Sequence, residues 1–238
     1  MSKLTPELRE ALMNISTATL TTAMFKRGFR NIFFQGPQRL NPGRNMVGEA
    51  YTLRYIPARE DLDLLESFAD RSNPQRKGVE ECPEGAVFVI DSRGDASAAS
   101  AGGILVTRLQ TRGVAGVVTD GGFRDTPEIS DLDMPAYHSR PSAPTNLISH
   151  HAVAINDPIA CGGVSVFPGD VIVGDGEGVV CIPAHLVEEI TAECVDMTIF
   201  EDFVLEMVQD GVSTFGLYPP TDPETAEKFS AWRQRNNR

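Results

Sequence analysis

The sequence is poor in the residues that build disulfide or zinc frameworks, with four cysteines, Cys82, Cys161, Cys181 and Cys194, and four histidines among 238 residues. There is no Cys-x-x-Cys pair, and no spacing closes a tetrahedral metal site with the histidines, so reduced and packed thiols are expected. Basic residues are also scarce, 21 against 33 acidic ones, and the net charge of -12 argues against a basic footprint for nucleic acid or anionic membrane. Solubility is the simpler reading of that charge. No apolar signal region opens the chain and no run approaches a membrane span, so the expected location is the cytoplasm. Internal repeats and low-complexity tracts are absent.

What is present is an ordinary apolar content of 41%, enough for a sizeable core. We read residues 1–238 as a single α/β domain, with N-terminal helices over 5–28, a core over about 46–182, and a C-terminal helix over about 184–210 followed by a tail. Thr5 caps a first helix with Pro6 in its opening turn, Ser16 restarts the pattern, and Gly28 stops it. Residues 34–44 read as loop and 46–55 alternate like a strand. Residues 60–69 read as helix, and 73–85, with Pro74, Pro83 and many charges, as surface loop. Two apolar runs, AVFVID at 86–91 and the one over 114–119, flank a helix-like ILVTRLQTR, which gives strand, helix, strand with a right-handed crossover. Residues 134–138 read as a strand. Residues 171–173 and 179–182 bracket Gly174, Asp175, Gly176, Glu177 and Gly178 as a hairpin would. From Pro183 onward, Leu186, Ile190, Cys194, Met197, Phe200, Val204 and Val208 recur at steps of three and four, the mark of one long amphipathic helix.

Residues 101–128, AGGILVTRLQTRGVAGVVTDGGFRDTPE, carry the chemistry. Gly102, Gly103, Ile104 and Leu105 would supply backbone amides at a helix N-terminus, where the dipole favours an anion such as a carboxylate. Arg124 and Asp125 follow a buried strand, at the strand end where ligands collect in α/β sheets. Arg124 can grip a carboxylate with two parallel hydrogen bonds, and Asp125 offers hard oxygen ligands to Mg2+ or Mn2+. The plainer alternatives are a tight turn at the glycines and a solvated surface pair at Arg124 and Asp125. Composition and periodicity leave that choice open.

The segment GVAGVVTDGGFRD, the glycine pair before it and the later GGVSVFPGDVIVGDGEGVVCIP together resemble the family of the regulator of RNase E activity A and the class II pyruvate aldolases for 4-hydroxy-4-methyl-2-oxoglutarate. The resemblance spans roughly residues 15–217. It implies a swivelling β/β/α fold with the C-terminal helix attached, assembled as a homotrimer or homohexamer with active sites between subunits. By position, Gly102, Gly103, Ile104 and Leu105 look like the cradle for a pyruvyl group, Arg124 like the substrate-binding arginine, and Asp125 like the metal-holding carboxylate. Glu201 is similar to a glutamate that such aldolases reach in from a neighbouring subunit, and reads equally well as a solvated helix flank.

The activity so implied is a lyase dependent on Mg2+ or Mn2+ and acting on a small 2-oxo acid, by retro-aldol release of pyruvate or by oxaloacetate decarboxylation, through a metal-bound enolate. Two departures from the pattern stand out. Gly103 replaces an acidic residue that many family aldolases carry, and AYHSRPSAPTN over 136–146 replaces a loop bearing glycine and lysine. His138 and Arg140 are candidates for the distal pocket, weighed against a merely hydrogen-bonded histidine. Arg54, Arg59, Glu60 and Asp61 read as a solvated ion-pair network, and Asp175 and Glu177 as turn residues rather than calcium ligands. The alternatives to the lyase are a protein-binding module like the ribonuclease regulators and a lyase or hydratase for a sugar-derived 2-oxo acid.

Overall fold

In a computed structural model, residues 4–43 and 45–238 are described. The chain opens with α1 (Pro6–Met13), where the Thr5 hydroxyl accepts a hydrogen bond from the Leu8 amide at 3.2 Å. Then comes α2 (Thr17–Lys26), capped by Ser16 and ended by Gly28 in the left-handed region at φ +91°. Both starts and the stop agree with the cap residues read from the sequence.

Among the described residues thirteen strands follow, interspersed with helices: β1 (Gln38–Arg39), β2 (Met46–Pro57), α3 (Pro74–Glu81), β3 (Val87–Asp91), β4 (Ala99–Ala101), α4 (Gly103–Thr111), β5 (Gly116–Thr119), β6 (Gly122–Phe123), α5 (Thr126–Ser130), β7 (Ala136–His138), β8 (Arg140–Pro141), β9 (His150–Ile155), β10 (Ile159–Cys161), β11 (Val164–Val166), β12 (Val171–Gly174) and β13 (Val179–Ile182). The main sheet has eight strands in the order β1-β7-β5-β3-β2-β12-β13, with β9 also on β2. Its centre, β2-β3-β5-β7, is parallel. A three-stranded parallel sheet, β4-β6-β8, stands apart from it.

The unbroken apolar run of β3 has a simple cause, since both faces of that strand are covered. Phe88 and Ile90 pack with Val79 of α3, Val106 and Leu109 of α4, and Ile129 of α5. Val87 and Val89 pack on the opposite face with Ile172, Cys161 and Val166. A third cluster seats Leu12, Leu20 and Met24 of the N-terminal helices against Ile190 and Cys194.

Four sequence expectations are corrected here. Residues 73–85 contain α3, because Asn73 caps it through the amides of Gln75 and Arg76 and Pro74 suits its first turn. Residues 60–69 form only a short 3-10 turn, Leu65–Ala69, with no residue buried to support a longer helix. The 34–44 connection holds β1 and a buried Phe34. Beyond α6 (Val187–Gln209) the tail contains α7 (Pro223–Arg235), whose Trp232 packs with Leu217 against Phe203 of α6. On α6, Ile190 and Cys194 of the anticipated stripe pack with the N-terminal helices and Phe200 and Val204 pack with the Trp232 cluster, whereas Val208 is exposed.

The β12–β13 hairpin forms as expected, and Asp175 holds it to α2. Its carboxylate accepts hydrogen bonds from the Thr17 amide at 2.8 Å, the Thr17 hydroxyl at 2.9 Å and the Glu177 amide at 2.9 Å. Removing a buried carboxylate strands all three donors. Asp175→Ala should therefore lower the unfolding free energy by about 3 kcal/mol in a denaturant titration; a loss below about 1 kcal/mol would contradict this role.

Candidate active site

Two very short strands place the candidate residues. In the β4–β6 pairing Ala101 lies opposite Phe123, and the Arg124 amide donates to the Ala101 carbonyl at 3.1 Å. Gly102 and Arg124 are consequently next to one another across the ladder. The Gly103 amide donates to Asp125 Oδ2 at 3.0 Å, and Arg124 Nε lies 3.5 Å from the same oxygen. Asp125 is left-handed, at φ +57°, a conformation that aspartate tolerates better than most residues. The glycine pair and the Arg-Asp pair thus face one another, as the anion-site reading of the sequence anticipates.

Gly102 is required by close approach. A Cβ there would lie 2.8 Å from both Arg124 Cγ and Asp125 Oδ2. Asp125 is the carboxylate that meets the first turn of α4, which carries no acidic residue of its own. Because the Leu105 amide turns back to the Gly102 carbonyl at 3.0 Å, Ile104 supplies the remaining early amide. The four cradle residues therefore differ in role, and Gly103 acts on Asp125.

Arg124, Asp125, Gly102, Ile104 and Leu105 line one cleft of about 150 Å³. Phe68, Gln75 and Arg76 also line it, together with Thr145 and Asn146 from the loop over 136–146. Beneath the site is a buried hydroxyl chain that sequence reading missed. Ser100 Oγ lies 2.7 Å from Ser92 Oγ and 2.7 Å from Thr119 Oγ1. Asp120 braces the same layer, accepting from the amides of Ser92 at 2.7 Å and Gly94 at 2.9 Å. Burial raises its pKa above the ordinary carboxylate value. The only sequence signal for this layer is the density of Ser, Thr and Gly around two apolar strands.

The other candidates lie elsewhere. Glu201, on α6, accepts from the Thr19 hydroxyl at 2.7 Å and does not line the cleft of its own chain. His138 is buried against Phe123, ring centroids 5.6 Å apart, and neither it nor Arg140 lines the cleft. Burial depresses the His138 pKa. Arg59 pairs with Asp61 at 2.6 Å on the exposed surface, in line with a solvated network. All four cysteines are free and buried, and burial pushes the Cys82 thiol up to about 12. Among the described residues no group of three or more His, Cys, Asp or Glu gathers to hold a metal, and no helix is long and apolar enough to cross a membrane.

Residues 17–181 match the family described as RraA-like, Aldolase/RraA. The chain belongs to the Aldolase/RraA family. A Halalkalibacterium halodurans protein provisionally named 4-hydroxy-4-methyl-2-oxoglutarate aldolase is 35% identical over 147 residues, which is 60% of this chain and 62% of that protein. A Thermus thermophilus protein named 4-hydroxy-4-methyl-2-oxoglutarate aldolase is 30% identical over 108 residues, 45% of this chain and 65% of that one. The chain thus spans less than two thirds of the curated relatives it matches first. Among solved structures, Streptomyces coelicolor RraAS2, described as an unusual member of the RNase ES inhibitor RraA protein family, superposes with TM-score 0.74 at 30% identity, covering 84% of this chain and 96% of that one. An uncharacterised Pseudomonas syringae protein shares the fold, with TM-score 0.77 at 21% identity over 90% of this chain and 98% of that one. These likenesses establish an Aldolase/RraA fold of mixed α/β type.

The histidine at the start of β9 offers a pH test of this layer. His150 is fully buried and stacked on Tyr55, with Arg93 3.3 Å from Nδ1 and the Ala98 carbonyl 3.3 Å from Nε2. That pattern suits a neutral ring with Nε2 protonated, and burial depresses its pKa. The unfolded chain takes up this proton as pH falls through about 6.5 while the folded chain resists it, so the contribution is full above that value and lost as pH drops further. Thermal unfolding between pH about 7.5 and 5 should show a smaller acid decline for His150→Gln than for wild type. Parallel declines would contradict the assignment.

Proposed function

We propose that this chain is a carbon-carbon lyase for a small 2-oxo acid, releasing pyruvate by retro-aldol cleavage or decarboxylating oxaloacetate with a divalent cation. The observation that carries the proposal is the interlock of Arg124, Asp125 and the first turn of α4 at the wall of one cleft. The aldolase names of relatives in the same family support the reaction class.

The donor set suits a hard cation. Asp125 Oδ2 is engaged by Gly103 and Arg124, while Oδ1 accepts no hydrogen bond among the described residues, and a single carboxylate with several waters is a common way to hold Mg2+. Asp125 would hold Mg2+ or Mn2+, which supplies Lewis-acid polarisation of the 2-oxo oxygen when bound. The chain's own groups do the rest. Arg124 binds the substrate carboxylate in a two-pronged geometry, and the Ile104 amide at the start of α4 faces the negative charge that develops as the C3–C4 bond breaks. The Gly103 amide fixes Asp125, so the carboxylate is held before substrate arrives.

Proton transfer falls to water in this reading, because the titratable groups lining the cleft are Arg76, Arg124 and Asp125. In a homotrimer or homohexamer with sites at subunit interfaces, Glu201 of a neighbouring copy is the candidate second carboxylate. A non-catalytic regulator is the competing reading, favoured by the likeness to the Streptomyces RNase ES inhibitor relative.

Pyruvate release from oxaloacetate separates the two. Purified protein with Mg2+ or Mn2+ should release pyruvate, EDTA should stop it, and Asp125→Ala and Arg124→Ala should each lower the rate by at least about 100-fold while remaining folded. A rate indifferent to EDTA and to both substitutions contradicts the lyase.

A further inference from the structure

The β4–β6 ladder that carries the candidate residues contains one irregularity. Ala99 lies opposite Gly122 and Ala101 opposite Phe123, so β4 advances two residues where β6 advances one, and Ser100 stands outside the register. Such a bulge shifts everything beyond it by one residue. Here it decides what meets Arg124. In a regular ladder Ser100 would face Phe123, Ala101 would come beside Arg124, and the Asp125 carboxylate would meet the Gly102 amide in place of the Gly103 amide. A side chain beside Arg124 is what the cleft cannot take, since a Cβ on Gly102 would lie 2.8 Å from both Arg124 Cγ and Asp125 Oδ2. The bulge puts the glycine where close approach demands it.

Strands of three and two residues are too short to hold a bulge by themselves. Buried side chains hold this one from two sides. The Ser100 carbonyl accepts from the Tyr55 hydroxyl and from Gln75 Nε2, each at 2.8 Å, which uses both of its lone pairs. Tyr55 and Gln75 are both buried, and the Tyr55 ring stacks on His150 with centroids 5.1 Å apart. On the other side the Ser100 hydroxyl lies 2.7 Å from those of Ser92 and Thr119, and a Cβ on Gly121 would lie 2.6 Å from Ser100 Oγ. Groups from β2, α3, β5 and the end of β3 thus converge on a residue that does not itself line the cleft.

We propose that Tyr55 and Gln75 are positioning residues: by fixing the Ser100 bulge they set the Gly103 amide against Asp125, and so hold the carboxylate in the orientation that takes the cation. This inference rests on Asp125 being the cation ligand of the proposed lyase. Two donors share one acceptor, so either alone keeps the carbonyl paired. Loss of both frees the bulge.

Tyr55→Phe keeps the ring and drops only the hydroxyl, and Gln75→Met keeps the length and drops the amide. Two readouts on the full chain follow the site: Mn2+ affinity titrated by electron paramagnetic resonance without substrate, and kcat for pyruvate release from oxaloacetate with Mg2+. Each single variant should stay within about threefold of wild type in both, and the double variant should lose at least about tenfold more than the product of the singles. Losses that merely multiply mean two independent contacts and overturn the shared clamp. Asp175→Ala, destabilised at α2, should bind Mn2+ as wild type does, which separates positioning from stability. A folded double variant with wild-type Mn2+ affinity and kcat overturns the inference alone, as does an Asp175→Ala protein that loses Mn2+ affinity equally. If the double variant does not fold, Gly121→Ala decides, because its methyl pushes on Ser100 Oγ from beneath. Mn2+ binding at least about tenfold weaker than wild type is expected there, and unchanged binding overturns the inference. Absence of both Mn2+ binding and turnover in wild type overturns the cation reading at Asp125, and this inference with it.

Discussion

The pairing of β4 with β6 is the contact on which the candidate site depends. These strands contribute three and two residues, too few to be stable by themselves. Their register is nevertheless fixed from below. Tyr55 from β2 donates to the Ser100 carbonyl at 2.8 Å, Gln75 donates to that same carbonyl, and the Ser92, Ser100 and Thr119 hydroxyls tie β4 to the ends of β3 and β5. A one-residue slip would turn every side chain of so short a ladder to its opposite face. Gly102 and Arg124 would then part. The main parallel sheet thus sets the position of a small second sheet, and the second sheet sets the geometry of the cleft.

That dependence explains which features were legible in the sequence. The helix caps at Thr5 and Ser16, the apolar runs of β3 and β5, and the β12–β13 hairpin are local signals backed by burial, so periodicity and turn residues reveal them. The facing of Gly102 and Arg124 was legible too, because a strand-helix-strand unit brings both turns to one end of a sheet. By contrast, β4, β6 and β8 are too short to show alternation, and their pairing is decided by the hydroxyl layer beneath them. Charge misleads at α3, where the cap at Asn73 and the buried Val79 outweigh a polar sequence. The 60–69 segment errs the other way, since a helix-like pattern without a surface to pack on yields one 3-10 turn.

Within the cleft the residues around Arg124 and those of α3 are built differently. Around Arg124 the site is preorganised, with Asp125 held by a backbone amide and Gly102 leaving room for close contact. Gly103 gives no side chain here, and its amide is its contribution. Where α3 lines the cleft, Gln75 Oε1 and Arg76 Nε are buried with no hydrogen-bond partner among the described residues.

The central claim is that Arg124 and the N-terminus of α4 grip a 2-oxo carboxylate beside a cation on Asp125. A crystal structure grown with Mg2+ and oxalate, a planar mimic of the pyruvate enolate, tests it most directly. The account predicts oxalate in the cleft with one carboxylate on the Arg124 guanidinium and Mg2+ on Asp125. Oxalate and Mg2+ bound together at another site, with the Arg124 cleft empty, would contradict it.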